Sequence, residues 1–315
     1  MMKKKVLFDS SYLNRAKKNP NEMEQQFPNK YCLRLVQDTI IDEFFFDKDG
    51  NWYEREENVK FYNNCDFLLI PDFSELLYKE YLKGLTEIKP LCKILVSEIL
   101  EGKRPKEESI YLESVKQRKK TKKEGWFDIP FSDKENIIID SSMIYSQFHE
   151  CVQKEIPLIS LLDHEGKRRV IMKGKKLFIS SKHELASQED RLRTFEDIKK
   201  EFPTLFNLFI FGIFMGYLMR PKNYMLKGEK DYFSIKLSKD KEHIRIDENT
   251  IADFRIALTG LHYIDLFVTC DKSQANIING LYPEYVDKIV HVPKDVSGVN
   301  LKVIERDIKF KLGIE

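Results

Sequence analysis

Residues 247–278, DENTIADFRIALTGLHYIDLFVTCDKSQANII, read as helix, strand, helix with an acid at each joint. Thr250 has the chemistry of an N-cap, and Phe254, Ala257, Leu258 and Leu261 recur at helical spacing. Leu266-Phe267-Val268-Thr269 is a short apolar run of the kind that is buried on both faces of a sheet. It stops at Cys270-Asp271, where a new helix is expected to start. Asp253 therefore lies at a helix start and Asp271 at the carboxyl end of a strand, the edge where open α/β sheets hold their ligands.

Two other stretches share this grammar. Lys5-Val6-Leu7-Phe8-Asp9-Ser10-Ser11 reads as a short buried strand with an acid at its carboxyl end, and Asn136-Ile137-Ile138-Ile139-Asp140-Ser141-Ser142 repeats it down to the Asp-Ser-Ser. Phe67-Leu68-Leu69-Ile70 is another strand, leading into a helix that starts with Glu75-Leu76-Leu77. Each acid also has a plain structural use: an Asp at such a joint caps a helix, and a first-turn Glu favours the helix dipole.

With 315 residues, 42% hydrophobic and 33% charged, the chain can bury a substantial core and has the composition of a folded protein. Its 53 basic and 51 acidic residues leave a formal net charge of +2, so any basic surface must be local. Residues Lys116, Arg118, Lys119, Lys120, Lys122 and Lys123 form such a run; they are candidates for gripping a nucleic-acid backbone, or else a solvated linker. Five scattered cysteines without metal spacing, and no signal sequence, indicate a reduced, cytoplasmic location. The six histidines show no HExxH or HxH spacing and read as structural, and no Walker A, GxGxxG or GxSxG motif occurs.

The rest of the chain divides into an N-terminal α/β part (1–100), a basic linker or insertion (101–135) and a C-terminal α/β part (136–315), with the first and last able to form one composite domain. Residues 21–42 are expected to be helical, hairpins are expected at 44–53, 168–180 and 231–246, and the tail from Ser297 is expected to be a strand or edge segment. Residues 205–219, LFNLFIFGIFMGYLM, are too short to cross a bilayer and read as a buried helix, with docking of a protein partner as the other use.

An Asp, an Ile-Ala pair three residues on, and Val-Thr-x-Asp closing eighteen residues after the first Asp is a pattern that resembles the second half of a PIN-like nuclease domain; here it is Asp253, Ile256-Ala257, Val268-Thr269 and Asp271. Leu258 departs from it where a small residue is usual, and so does Asp265 in a loop that is normally less charged. Asp9 and Glu75 match the opening of such domains more loosely. The resemblance implies an α/β or α+β fold, a PIN-like Rossmannoid sheet flanked by helices, with the antiparallel hairpins as additions. It also implies a metal-dependent nuclease acting on RNA, with DNA as the other substrate, in a family whose members commonly serve as toxins or defence effectors.

On this reading Asp9, Glu75, Asp253 and Asp271 are the catalytic acids, and Asp9, Asp253 and Asp271 the ligands of Mg²⁺ or Mn²⁺, with Thr269 or Ser10 orienting a ligand through its hydroxyl. Clustered carboxylates suit these hard cations without help from His or Cys. A compact domain starting at Asp140, with Glu184 as second acid, is the alternative placement. The alternative function is a nonenzymatic protein that binds nucleic acid through 116–123 or a partner through the 205–219 helix, with the acids as caps.

Overall fold

The computed structural model describes residues 3–45, 55–70, 76, 80, 94–95, 127–130, 136–139, 141–153, 157–163, 166–173, 176–180, 199–200, 203–218, 223–227, 232–234, 238–239, 243–246, 253, 256, 258, 261–294 and 299–313. The helices are α1 (Ser10–Ala16), α2 (Pro20–Gln26), α3 (Asp38–Phe45), α4 (Glu56–Asn63), α5 (Ser141–Gln153), α6 (Pro203–Leu218), α7 (Lys272–Leu281) and α8 (Val299–Leu312). Asp253, Ile256 and Leu258 are also helical.

Strands β1 (Lys4–Phe8), β2 (Cys32–Gln37) and β3 (Phe67–Ile70) join two strands from the far end of the chain, which as the last of the fifteen among the described residues are β14 (Leu266–Thr269) and β15 (Ile289–His291). These five form a parallel sheet in the order β15-β14-β1-β2-β3, and the two-residue strand β4 (Ile94–Leu95) runs antiparallel along the β3 edge. Val6, Leu7 and Phe8 lie level with Leu266, Phe267 and Val268, and all six side chains are buried. Both strands are covered on two faces, which is why they read as unbroken apolar runs rather than alternating ones. Burying one such side chain contributes about 1.5–3 kcal/mol, so the β1/β14 pair is a large part of what joins the two chain ends.

Elsewhere short strands form three small groups. β5 (Phe127–Pro130) pairs with β13 (His243–Ile246), which also pairs with β12 (Ser238–Lys239). β6 (Asn136–Ile139) lies parallel to β10 (Asn223–Lys227), whose other neighbour is β11 (Tyr232–Ser234), while β7 (Pro157–Asp163), β8 (Gly166–Lys173) and β9 (Lys176–Ser180) form an antiparallel set. The strand that leads to Asp140 is thus in a different sheet from β14, and β1 occupies the place beside it.

Three expectations from the sequence fail, each for a packing reason. Residues 21–42 are helix, strand and helix, because Pro28-Asn29 breaks the chain and β2 enters the sheet. Arg34, which resembles a charged helix face, is buried there with its guanidinium on the Phe27 carbonyl (3.0 and 2.7 Å) and on Glu24. Phe44 and Phe45 end α3 and pack on Tyr62 instead of opening a hairpin; residues 46–53 lie outside the described residues. The tail is helix α8, with Ile308 and Leu312 inward at a four-residue interval and Gly313 closing it at φ 64°.

The apolar segment is α6, and its side chains are used inside the chain. Leu205, Phe206, Phe209, Ile210, Phe211 and Phe214 are buried, with Phe148 of α5 against Phe206 and Phe209. Among the residues of this helix whose burial is described, Gly212 is the one exposed position. No helix among the described residues is long and apolar enough to cross a membrane.

Candidate functional site

The strand order decides where a ligand belongs. From β1 the chain steps outward to β2 and β3, then returns to the other side of β1 for β14 and β15. The order reverses between β1 and β14, and the crevice outside the carboxyl ends of that pair is where such sheets bind. Asp9 follows β1, and Thr269, Cys270 and Asp271 follow or end β14.

Asp9 is the N-cap of α1 and is buried. Its Oδ2 accepts from the Ser11 backbone N–H (3.1 Å), from the Thr269 hydroxyl (3.0 Å) and from the Ser11 hydroxyl, while its Oδ1 is buried without a hydrogen bond of normal geometry, the Ser10 backbone N–H being the other donor that acts on the carboxyl. Burial pushes the Asp9 carboxyl above its usual range, and the Ser11 and Thr269 donors oppose the shift without cancelling it. A carboxylate with one oxygen triply bonded and the other bare is oriented but not satisfied.

The same hydroxyls knit the strand ends together. Thr269 Oγ1 accepts from the Asp271 N–H (2.9 Å) and Ser11 Oγ from the Cys270 N–H (2.9 Å), so Ser11, rather than Ser10, is the serine that shapes the site. Asp271 caps α7 by accepting from the Gln274 N–H at 3.0 Å. Gln274 then reaches with its side-chain N–H to the carbonyl of Asp253 (3.0 Å), and Gln37 does the same to the carbonyl of Ile256 (2.9 Å). Two glutamines thus hold the helical residues Asp253 and Ile256 by their carbonyls. Both keep a buried, unbonded Oε1.

A hydrogen-bonded path therefore runs from Asp9 through Thr269, Asp271 and Gln274 to Asp253, which joins it by its backbone carbonyl and not by its carboxylate. Among the described residues, no three His, Cys, Asp or Glu side chains are grouped closely enough to hold a metal ion. Glu75, Asp140, Glu184 and the basic residues 116–123 lie outside the described residues. An unpartnered buried carboxylate oxygen such as Asp9 Oδ1 is the kind of donor a hard cation takes.

Nothing in the sequence singles out Ser11, Gln37 or Gln274. A lone Gln or Ser has no motif; the one signal was position, since Ser11 lies two residues after the strand-end acid and Gln274 at the third position of an Asp-capped helix. His291 lies level with Thr269 on β15, and burial holds its imidazole below the ordinary value. No family model, curated protein or solved structure matches the chain.

Proposed function

We propose that the chain is a metal-dependent nuclease of the PIN-like kind that acts on RNA, with DNA as a second substrate. The observation that carries this is Asp9 at the point where the strand order reverses: one oxygen saturated by Ser11 and Thr269, the other buried and bare. A protein that needed Asp9 only as a cap has no use for a desolvated empty oxygen, which costs about 1–3 kcal/mol.

Asp9, Asp253 and Asp271 are the proposed ligands of Mg²⁺ or Mn²⁺, and Glu75 is the fourth acid. The three carboxylates are not grouped closely enough to hold an ion in this structure and would have to draw together around it. When bound, such an ion activates a water for attack on a phosphodiester and offsets charge on the leaving oxygen. Thr269 and Ser11 fix the Asp9 carboxylate, Gln274 ties Asp271 to the helix of Asp253, and the buried β1/β14 floor keeps bulk water from the carboxylate. The basic run 116–123 is the candidate grip on the phosphate backbone, and a toxin or defence role rests on the resemblance alone.

Cleavage of single-stranded RNA with Mn²⁺, abolished by Asp9→Asn and by Asp271→Asn in variants that still fold, is the expected result. Cutting at the wild-type rate by both variants would sink the proposal. A second reading is favoured by one observation, that Asp9 and Asp271 both accept helix N–H groups. In it the acids are caps of a protein that binds nucleic acid without cutting, and salt-sensitive binding with no metal-dependent cleavage would select it.

A further inference from the structure

Helix α8 carries a large aromatic side chain where folding does not need one. Phe310 is 71% exposed and Val303 55%, although Ile308 and Leu312 of the same helix supply its inward contacts. The two exposed residues are seven apart, with Arg306 between them at helical spacing, so Val303, Arg306 and Phe310 share one outward strip. Lys302 and Lys309 are exposed on the same helix, and Asp307 is partly neutralised by Lys311 at 3.5 Å.

This strip forms one wall of a cavity of about 470 Å³ whose other wall is Val290 and His291 of β15, with Ile304 and Asp307 completing it. That volume is in the range of small-ligand sites. Its place in the fold gives it meaning. His291 is level with Thr269, and the Val292 N–H donates to the Thr269 carbonyl at 2.9 Å, so the cavity opens one strand away from the Thr269–Asp271 segment.

We propose that this cavity is a nucleobase subsite for single-stranded RNA, with Phe310 as the stacking platform and Arg306 and the flanking lysines facing the phosphates. It rests on the nuclease reading, since it places a base beside the strand whose end carries Asp271. Aromatic stacking with adjacent cations is how sequence-tolerant single-strand sites hold bases, and an exposed Phe beside an Arg meets that requirement.

The test uses the full chain in EDTA, with fluorescence anisotropy of a short labelled oligouridylate and of a matched abasic ribose-phosphate oligomer. The wild type is expected to prefer the oligouridylate, Phe310→Ala to lose the preference by about tenfold, and Phe310→Tyr to keep it. Equal binding of both oligomers by the wild type overturns the subsite. So does unchanged binding by Phe310→Ala, including the case in which that variant instead loses self-association in sedimentation. Since no divalent ion is present, discrimination by a wild type that cuts nothing with Mn²⁺ overturns the nuclease and leaves the subsite standing. Cutting by a protein indifferent to Phe310→Ala overturns the subsite alone.

Discussion

Two buried carboxylates at helix N-termini, Asp9 and Glu80, are treated in opposite ways. Glu80 accepts from the Thr204 N–H (2.9 and 3.1 Å), the Leu205 N–H (3.2 Å) and the Tyr263 hydroxyl, so both its oxygens are engaged and α6 is anchored to the loop before β14. Asp9 places its Ser11 and Thr269 donors on one oxygen and leaves the other without a hydrogen bond of normal geometry. Burial raises both groups above their usual range. What separates a fastening from a site is the unused lone pairs, not the burial. A saturated carboxylate has nothing left to offer a ligand.

The largest effect expected from this contrast is on activity. Asp9→Asn should lower Mn²⁺-dependent cleavage of RNA by at least about 100-fold, the scale of removing one preorganised electrostatic group. Initial rates with the variant's fold checked by circular dichroism measure it; a loss under tenfold would put Asp9 with Glu80 as a fastening.

Glu80→Ala should act on stability instead. It strands two helix N–H groups and a tyrosine hydroxyl in the interior, at a cost of about 3 kcal/mol in urea unfolding. Cleavage per folded molecule should be unchanged, and a selective loss of activity would erase the distinction between the two acids.

Gln274→Ala should come next, lowering cleavage about tenfold and stability by about 1 kcal/mol, because Asp253 loses the Gln274 clasp while that of Gln37 on Ile256 remains. Kinetics and denaturation on one preparation separate the two losses.

The pH dependence of Glu80 gives a smaller, signed effect. Its native pKa is raised above the ordinary 4.5, so between that value and the raised one the native state holds a proton the unfolded chain has released. Stability conferred by Glu80 is therefore greatest below the ordinary value and declines as pH rises through the raised one. Wild-type unfolding free energy minus that of Glu80→Gln should fall across this window; a rise would mean that the three donors outweigh desolvation. Lys4→Ala, which removes the half-exposed Lys4–Asp265 pair at 3.3 Å, should change stability by less than about 0.5 kcal/mol.

Strands β1, β3 and β14 were legible in the sequence because a strand buried on both faces writes itself as an apolar run. Strand β2 was not, since Arg34 interrupts it and its charge is answered by Phe27 and Glu24 from outside the strand. Helix α8 was missed because its outward strip, Val303 and Phe310, is also apolar and blurs the helical period.

By itself the sequence determined that acids stand at strand ends, that no histidine or cysteine metal motif is present, and that 205–219 is apolar enough to be buried. Which strand lies beside β14 was decided by the fold: Asp9 and Asp140 follow near-identical runs, and a run of apolar residues carries no record of its neighbour. The division of labour between Asp9 and Glu80 was likewise invisible, because it depends on which donors arrive from residues up to 260 positions away. Chain distance sets what a sequence pattern can report; hydrogen bonds across a sheet are made by residues that no local pattern connects.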